Sequence, residues 1–182
     1  MKRGALFPDL LGTRWETLPP SVRAMHGGSP LLRARGRVKV EGDSRRPARL
    51  LRALFGLPAP VDDAAIEVEI RQHANAETWT RRFPGRVMRS RLHRSRRRLD
   101  AFEEIIGASR FAFLPQCVDG TMRWAPCEVR LLGLPLPLRW FEGIAARCGE
   151  QDGRYRFAAA ARLPWIGLLV AYSGWLEPID VD

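Results

Sequence analysis

The chain has 182 residues, 46% of them hydrophobic, with six tryptophans and a formal net charge of +10. That hydrophobic content excludes a disordered polypeptide, and the length suits a single domain, residues 1–182, with a buried core. The longest uncharged run, residues 163–176, is broken by Pro164, Gly167 and Gly174, and a membrane-spanning helix needs about 20 apolar residues.

Met1-Lys2-Arg3 is soon followed by Pro8 and Asp9, without the apolar stretch of a signal peptide. The expectation is a soluble, cytoplasmic protein with no transmembrane segment. Residues 1–33 read as helical or irregular. Leu6, Leu10, Leu11 and Trp15 approximate one helical face, and Pro19-Pro20 ends it. Ser21 is placed to cap a short turn from Val22 to His26, which Gly27-Gly28 closes.

At Ala34 the period changes. Ala34, Gly36, Val38 and Val40 alternate with Arg35, Arg37, Lys39 and Glu41, the pattern of a half-buried strand. A helix is predicted near residues 45–56, capped by Asp43 or Ser44, with Pro47 in its first turn. Leu50, Leu51, Leu54 and Phe55 form its apolar stripe. Beyond Pro60 the chain reads as strands. Ile66, Val68 and Ile70 alternate with charged residues, and Trp79, Arg81 and Phe83 share a face before the Pro84-Gly85 turn. Further strands are predicted near residues 97–104, 110–117, 121–131, 143–150, 155–163 and 168–176. Asp119-Gly120 and Asp152-Gly153 serve as hairpin turns. Leu134-Pro135-Leu136-Pro137 reads as a connecting loop, since proline lacks the donor an inner strand needs. The predicted fold is mainly β, a strongly curved antiparallel meander of about nine strands over residues 34–178. It is a half-barrel or open barrel with a few N-terminal helices.

Charge is concentrated. Between Arg81 and Arg98 lie nine arginines, one histidine and no carboxylate. A two-residue loop at Pro84-Gly85 sets Phe83 opposite Arg86, Arg81 opposite Met88 and Trp79 opposite Ser90. Arg81 then points inward, beside Trp79 and Ser90. A buried guanidinium needs a partner. That partner is either a carboxylate of the protein, with Glu67, Glu69 and Glu104 the candidates, or the acidic head of a ligand lying along the apolar wall. The opposite face carries Arg82, Arg89 and Arg91, and the turn after it Arg96, Arg97 and Arg98. These arginines form a candidate polyanion contact, or simply a solvated face without aromatics for base stacking.

Catalytic signals are weak. Ser173 lies in no GxSxG elbow, and Glu103 and Glu104 are adjacent, so on a strand they face opposite ways. Cys117, Cys127 and Cys148 read as structural thiols. His26 reads as a helix-end residue, with a proton-transfer role as the sharper alternative, and His73 has no evident partner. No catalytic residue, metal site or cofactor is assigned.

Several segments resemble one uncharacterised bacterial domain family that occurs alone or behind saccharopine-dehydrogenase-like and other NAD-binding domains. They include Leu18-Pro19-Pro20-Ser21-Val22-Arg23, Leu54-Phe55-Gly56-Leu57-Pro58, Trp79-Thr80-Arg81-Arg82-Phe83, Leu132-Gly133-Leu134-Pro135 and Tyr172-Ser173-Gly174-Trp175-Leu176. The resemblance covers essentially the whole chain and implies a shared fold but no catalytic residue. Any NAD-binding partner would be a separate protein, because no GxGxxG is present. The reading is therefore a non-catalytic β domain that binds a small amphipathic or acidic ligand in its concave face. The alternative is an interaction module contacting RNA, anionic membrane or an acidic protein through the arginine strip. A third reading is an enzyme whose site is assembled from residues that sequence alone does not pair.

Overall fold

The computed structural model describes residues 5–179, so the reading of Met1-Lys2-Arg3 lies outside the described residues. The chain opens with α1 (Leu6–Leu11), a 3-10 turn (Gly12–Thr17) and α2 (Pro20–His26). After β1 (Leu31–Glu41) comes α3 (Arg46–Leu54). The meander continues through β2 (Val61–Gln72), β3 (Glu77–Phe83), β4 (Arg86–Arg94), β5 (Phe102–Ile106), β6 (Ser109–Val118) and β7 (Thr121–Leu131). A short β8 (Leu134–Leu136) and a 3-10 turn (Leu138–Trp140) lead into β9 (Gly143–Gln151), β10 (Arg154–Leu163) and β11 (Gly167–Ile179). No helix among the described residues is long and apolar enough to cross a membrane.

Ten of these strands close into an antiparallel barrel. Sequence neighbours pair from β1 to β7, β7 pairs β9 through Met122–Trp124, and β11 returns to β1 from Arg33↔Ile179 to Glu41↔Ala171. β8 pairs only the other end of β7. The expected half-barrel of about nine strands is thus corrected to a closed wall of ten with one short strand outside it. An open meander would leave β1 and β11 as free edges, and their mutual pairing removes both. Two glycines allow the close approach at this seam. A Cβ at Gly36 would fall on the Trp175 carbonyl oxygen, and one at Gly174 on that of Arg37.

The inward set is the alternating set. Ala34, Val38, Val40, Ile66, Val68, Ile70, Trp79 and Phe83 are all buried. The strand expected over residues 97–104 begins only at Phe102. Residues 95–101 instead form a turn closed by the Ser95 N–H donating to the Ala101 carbonyl at 2.9 Å. The proline-rich segment holds a strand after all, but an edge strand, where Pro135 forfeits no inner ladder bond.

The expected helix caps are not made by Ser21, Asp43 or Ser44 side chains. The Ser21 N–H donates to the Glu150 carboxylate of β9 at 3.1 Å, and Asp43 accepts the Leu168 N–H of β11 at 3.1 Å. Long-range contacts to strands thus replace local capping. The stripe expected on α3 is split, with Leu51 and Phe55 half-buried at the mouth. Leu50 and Leu54 face solvent, while Ala48 and Arg52 are buried. Arg52 fixes the helix by donating to the carbonyls of Leu169 (3.0 Å) and Asp43 (2.8 Å).

The two barrel ends differ. α1 and α2 plug one end. α3, the β7–β8–β9 connection and the β10–β11 turn surround the other, here called the mouth.

Candidate functional site

At the plugged end the interior is filled by aromatic rings. Phe7 stacks on Trp124 at 5.5 Å and meets Phe102 edge-on at 5.3 Å, while His26 stacks on Trp79 at 5.4 Å. Nε2 of His26 lies 3.0 Å from the Tyr155 hydroxyl and 3.6 Å from Sγ of Cys148. Burial, with Arg81 adding to it, pushes the His26 pKa down to about 3, so the imidazole is neutral. Burial pushes the Cys148 thiol up to about 12 and the Tyr155 phenol well above its ordinary range. Each group therefore keeps its neutral form at neutral pH, which supports a packed, hydrogen-bonded plug and leaves no thiolate there. Sequence reasoning placed His26 at the helix end but missed its partners, which are more than a hundred residues away.

One layer toward the mouth sits Arg81. The β3–β4 register is the expected one, with Phe83↔Arg86, Arg81↔Met88 and Trp79↔Ser90. Pro84 fixes one φ and Gly85 takes φ 68°, the residue pattern of a type II turn. Arg81 is 7% exposed. It donates from Nη1 to Ser90 Oγ at 2.9 Å and from Nη2 to Glu104 Oε1 at 3.3 Å, and its guanidinium lies 4.9 Å from the Trp79 ring centroid. Burial opposes its charge, but Tyr172 and Glu104 more than offset this and raise its pKa. Of the three carboxylates considered from sequence, Glu104 is the partner. Glu67 and Glu69 lie near exposed Arg82 and Arg33 instead. Glu103, as expected from adjacency, faces the other way and accepts from Ser95 Oγ at 2.9 Å.

Between this ion pair and the mouth is a cavity of about 380 Å³. Arg81, Glu104 and Tyr172 are the polar groups at its floor. Phe111, Phe113 and Val170 form apolar wall, and Leu51 and Phe55 of α3 line it together with Trp140 and Phe141. The space exists because β9 and β10 turn small residues inward. Ala146, Ala159 and Ala161 stand where bulkier side chains would fill the barrel. A void of this size is far larger than the packing gaps of ordinary interiors. The alanine run 158–161 was the sequence signal for it.

The arginine strip lies where expected, with Arg82, Arg89 and Arg91 exposed on the outer face of β3 and β4. Arg97 pairs with Glu128 and Arg98 with Asp100, both at 3.2 Å, and Arg82 lies 3.9 Å from Glu67. Among the described residues Arg89, Arg91 and Arg96 form no salt bridge. His73 bonds Thr78 Oγ1 at 2.9 Å, a partner the sequence did not suggest. A second arginine group went unnoticed. Arg123 and Arg147 face each other across β7 and β9, at the edge of a shallow outer groove shared with Arg156.

Fold and site together define a closed up-and-down barrel, plugged at one end and hollow at the other, with the buried Arg81–Glu104 ion pair beneath a mostly apolar cavity. Residues 18–176 match the family described as a domain of unknown function, DUF4166, and the chain belongs to that family. The match runs from just before α2 to Leu176 in β11, and so takes in the whole barrel except the last residues of its final strand. No curated protein matches the chain.

Proposed function

We propose that the barrel binds one small amphipathic molecule, with its apolar part in the cavity and its polar end at the Arg81–Glu104 pair. The observation that carries this is a roomy, mostly apolar space whose floor is the Arg81, Glu104 and Tyr172 cluster, with Ser109 and Arg130 the other polar lining residues nearer the mouth. Its volume, about 380 Å³, falls within the range of ligand pockets, and barrels of comparable build hold small ligands inside. Glu104 already neutralises Arg81, so a hydroxyl or carbonyl end group fits without breaking the pair. A carboxylate must compete with Glu104 for the guanidinium.

The test is uptake of N-phenyl-1-naphthylamine by the purified protein, followed by competition with decanol and decanoate. The probe should brighten on binding, decanol should displace it more effectively than decanoate, and Ala161→Phe should abolish uptake. Absence of probe uptake by the correctly melting native protein refutes the reading. A second reading, contact with RNA or an acidic protein through Arg82, Arg89, Arg91, Arg96, Arg97 and Arg98, is favoured by the exposed arginines without ion-pair partners. Among the described residues no Phe, Tyr or Trp stands beside Arg82, Arg89 and Arg91 on the outer face of β3 and β4, which weighs against base stacking there.

A further inference from the structure

Of the ten large apolar side chains exposed among the described residues, six gather at one end of the barrel, while Val87, Leu99, Val118 and Ile179 stand apart. Leu50 and Leu54 on α3, Leu132, Leu134 and Leu138 around β8, and Trp165 in the β10–β11 turn all surround the mouth. Trp165 is 84% exposed, Leu132 78% and Leu54 73%. Exposed apolar side chains concentrated at one end of a domain point to an interaction site.

Two of these residues occupy backbone positions that disfavour them. The two-residue turns at the plugged end, Asp119-Gly120 and Asp152-Gly153, put aspartate at positive φ (48° and 54°), where aspartate is well tolerated. The equivalent turn at the mouth, Leu132-Gly133, puts leucine there, at φ 51°. Trp165 has φ 61°, and across it the Ile166 N–H donates to the Pro164 carbonyl at 2.7 Å, the rare positive-φ form of the γ-turn. Bulky apolar residues are thus held outward at strained turn tips, where folding alone favours Gly, Asn or Asp.

Their surroundings are basic. Residues 43–60, 132–142 and 162–167 contain six arginines and two carboxylates. Asp43 is taken by Arg45, and Arg52 is buried under α3. Arg46, Arg49, Arg139 and Arg162 are exposed and form no salt bridge among the described residues.

From this we infer that the mouth docks on the surface of an anionic lipid bilayer. The leucines and Trp165 enter the headgroup–acyl boundary, and the surrounding arginines meet lipid phosphates. Apolar tips interleaved with arginines complement both layers of such a surface. The tips come from separate turns, and a fluid bilayer accepts that arrangement without a matching shape. Docking places the cavity entrance against the acyl chains, so the molecule taken up is a membrane lipid or lipid fragment. That last step rests on the ligand reading above, whereas docking itself does not.

The experiment is co-sedimentation of the full chain with phosphatidylcholine vesicles and with phosphatidylcholine–phosphatidylglycerol vesicles. The native protein should sediment with the anionic vesicles and far less with the neutral ones. Combining Leu50→Ser, Leu54→Ser and Trp165→Ser should lower partitioning about a hundredfold, since each tip loses its burial in the acyl region. Arg46→Ser with Arg49→Ser should lower binding to anionic vesicles about tenfold and narrow the difference between the two lipid compositions. All these residues are exposed, so unchanged melting confirms that the variants fold. Ala161→Phe should keep vesicle binding while losing probe uptake, which separates failure of docking from failure of the cavity reading. Docking is overturned if the native protein ignores anionic vesicles or if the triple variant binds like the native one. It is also overturned if binding is instead lost in Arg82→Ser/Arg89→Ser/Arg91→Ser, or if the patch proves only to join two copies of the chain in light scattering.

Discussion

Arg81→Met tests the centre of the barrel most directly. Methionine keeps much of the aliphatic volume but removes the charge and both hydrogen bonds. The side chains of Arg81 and Glu104 are 9% and 8% exposed, so solvent screens their interaction little. Removing one partner leaves the Glu104 carboxylate buried without its counter-charge, at a cost of about 3–5 kcal/mol. For a chain of this length about 1 kcal/mol shifts the midpoint by roughly 2–4 °C, so melting should fall by about 6–20 °C. Adding Glu104→Leu removes the stranded carboxylate, and the double variant should recover most or all of that loss. Thermal melting and urea titration of the three proteins provide the measurement. In the double variant the probe should still enter the cavity, but the preference between decanol and decanoate should collapse. A single variant within about 2 °C of native, or a double variant no better than the single, would refute the ion pair as the structural centre.

Other outcomes follow from the buried titrating groups and from the outer face. The unfolded chain protonates His26 near pH 6.5 but the folded one only near 3, so the unfolded state binds more protons between these values. Stability should therefore fall by about 1.5–2 kcal/mol from pH 6.5 to 5, above the main carboxylate range, and His26→Leu should flatten that slope in urea titrations. Cys148, raised to about 12 and buried, should resist a disulfide-exchange reagent until the protein unfolds. Cys117 and Cys127, half-buried and also raised, should react slowly in the native state. Replacing Arg82, Arg89 and Arg91 together with Ser should change stability by less than about 1 kcal/mol, since all three are exposed. The same variant should elute from heparin at lower salt, and unchanged elution would remove the strip as a polyanion contact.

Most of the wall was legible because each strand is specified locally. Alternation placed Ile66, Val68 and Ile70 inside, Asp-Gly pairs marked two hairpins, and the two residues Pro84-Gly85 were enough to fix the Arg81 register. Closure was not legible. It joins the first strand to the last, and no local pattern distinguishes a paired edge from a free one. The turn after β4 misled for a related reason. Its consecutive arginines have no alternation, and the segment is shaped by Ser95, whose hydroxyl accepts the N–H groups of Arg97 and Arg98 at 3.2 and 3.3 Å. Period served only in part at α3, where Leu51 and Phe55 turn toward the cavity but Leu50 and Leu54 face solvent.

The same distinction explains why only half of the candidate site could be read. A single buried arginine on an apolar strand is a visible anomaly, and it demands a partner wherever the chain goes. A cavity is an absence of side chains, and its only trace is a series of alanines that would suit a dense sheet equally well. The plug and the mouth separate these two uses of apolar residues. At the plug, Phe7, Trp79 and Trp124 interlock and exclude solvent, which stabilises the closed wall. At the mouth, Leu132 and Trp165 lie at positive-φ turn tips and contribute little to the core. Apolar surface placed there at a cost to the fold is best explained by something outside the chain that covers it. The cavity immediately beneath is where such a partner could deliver its own apolar part.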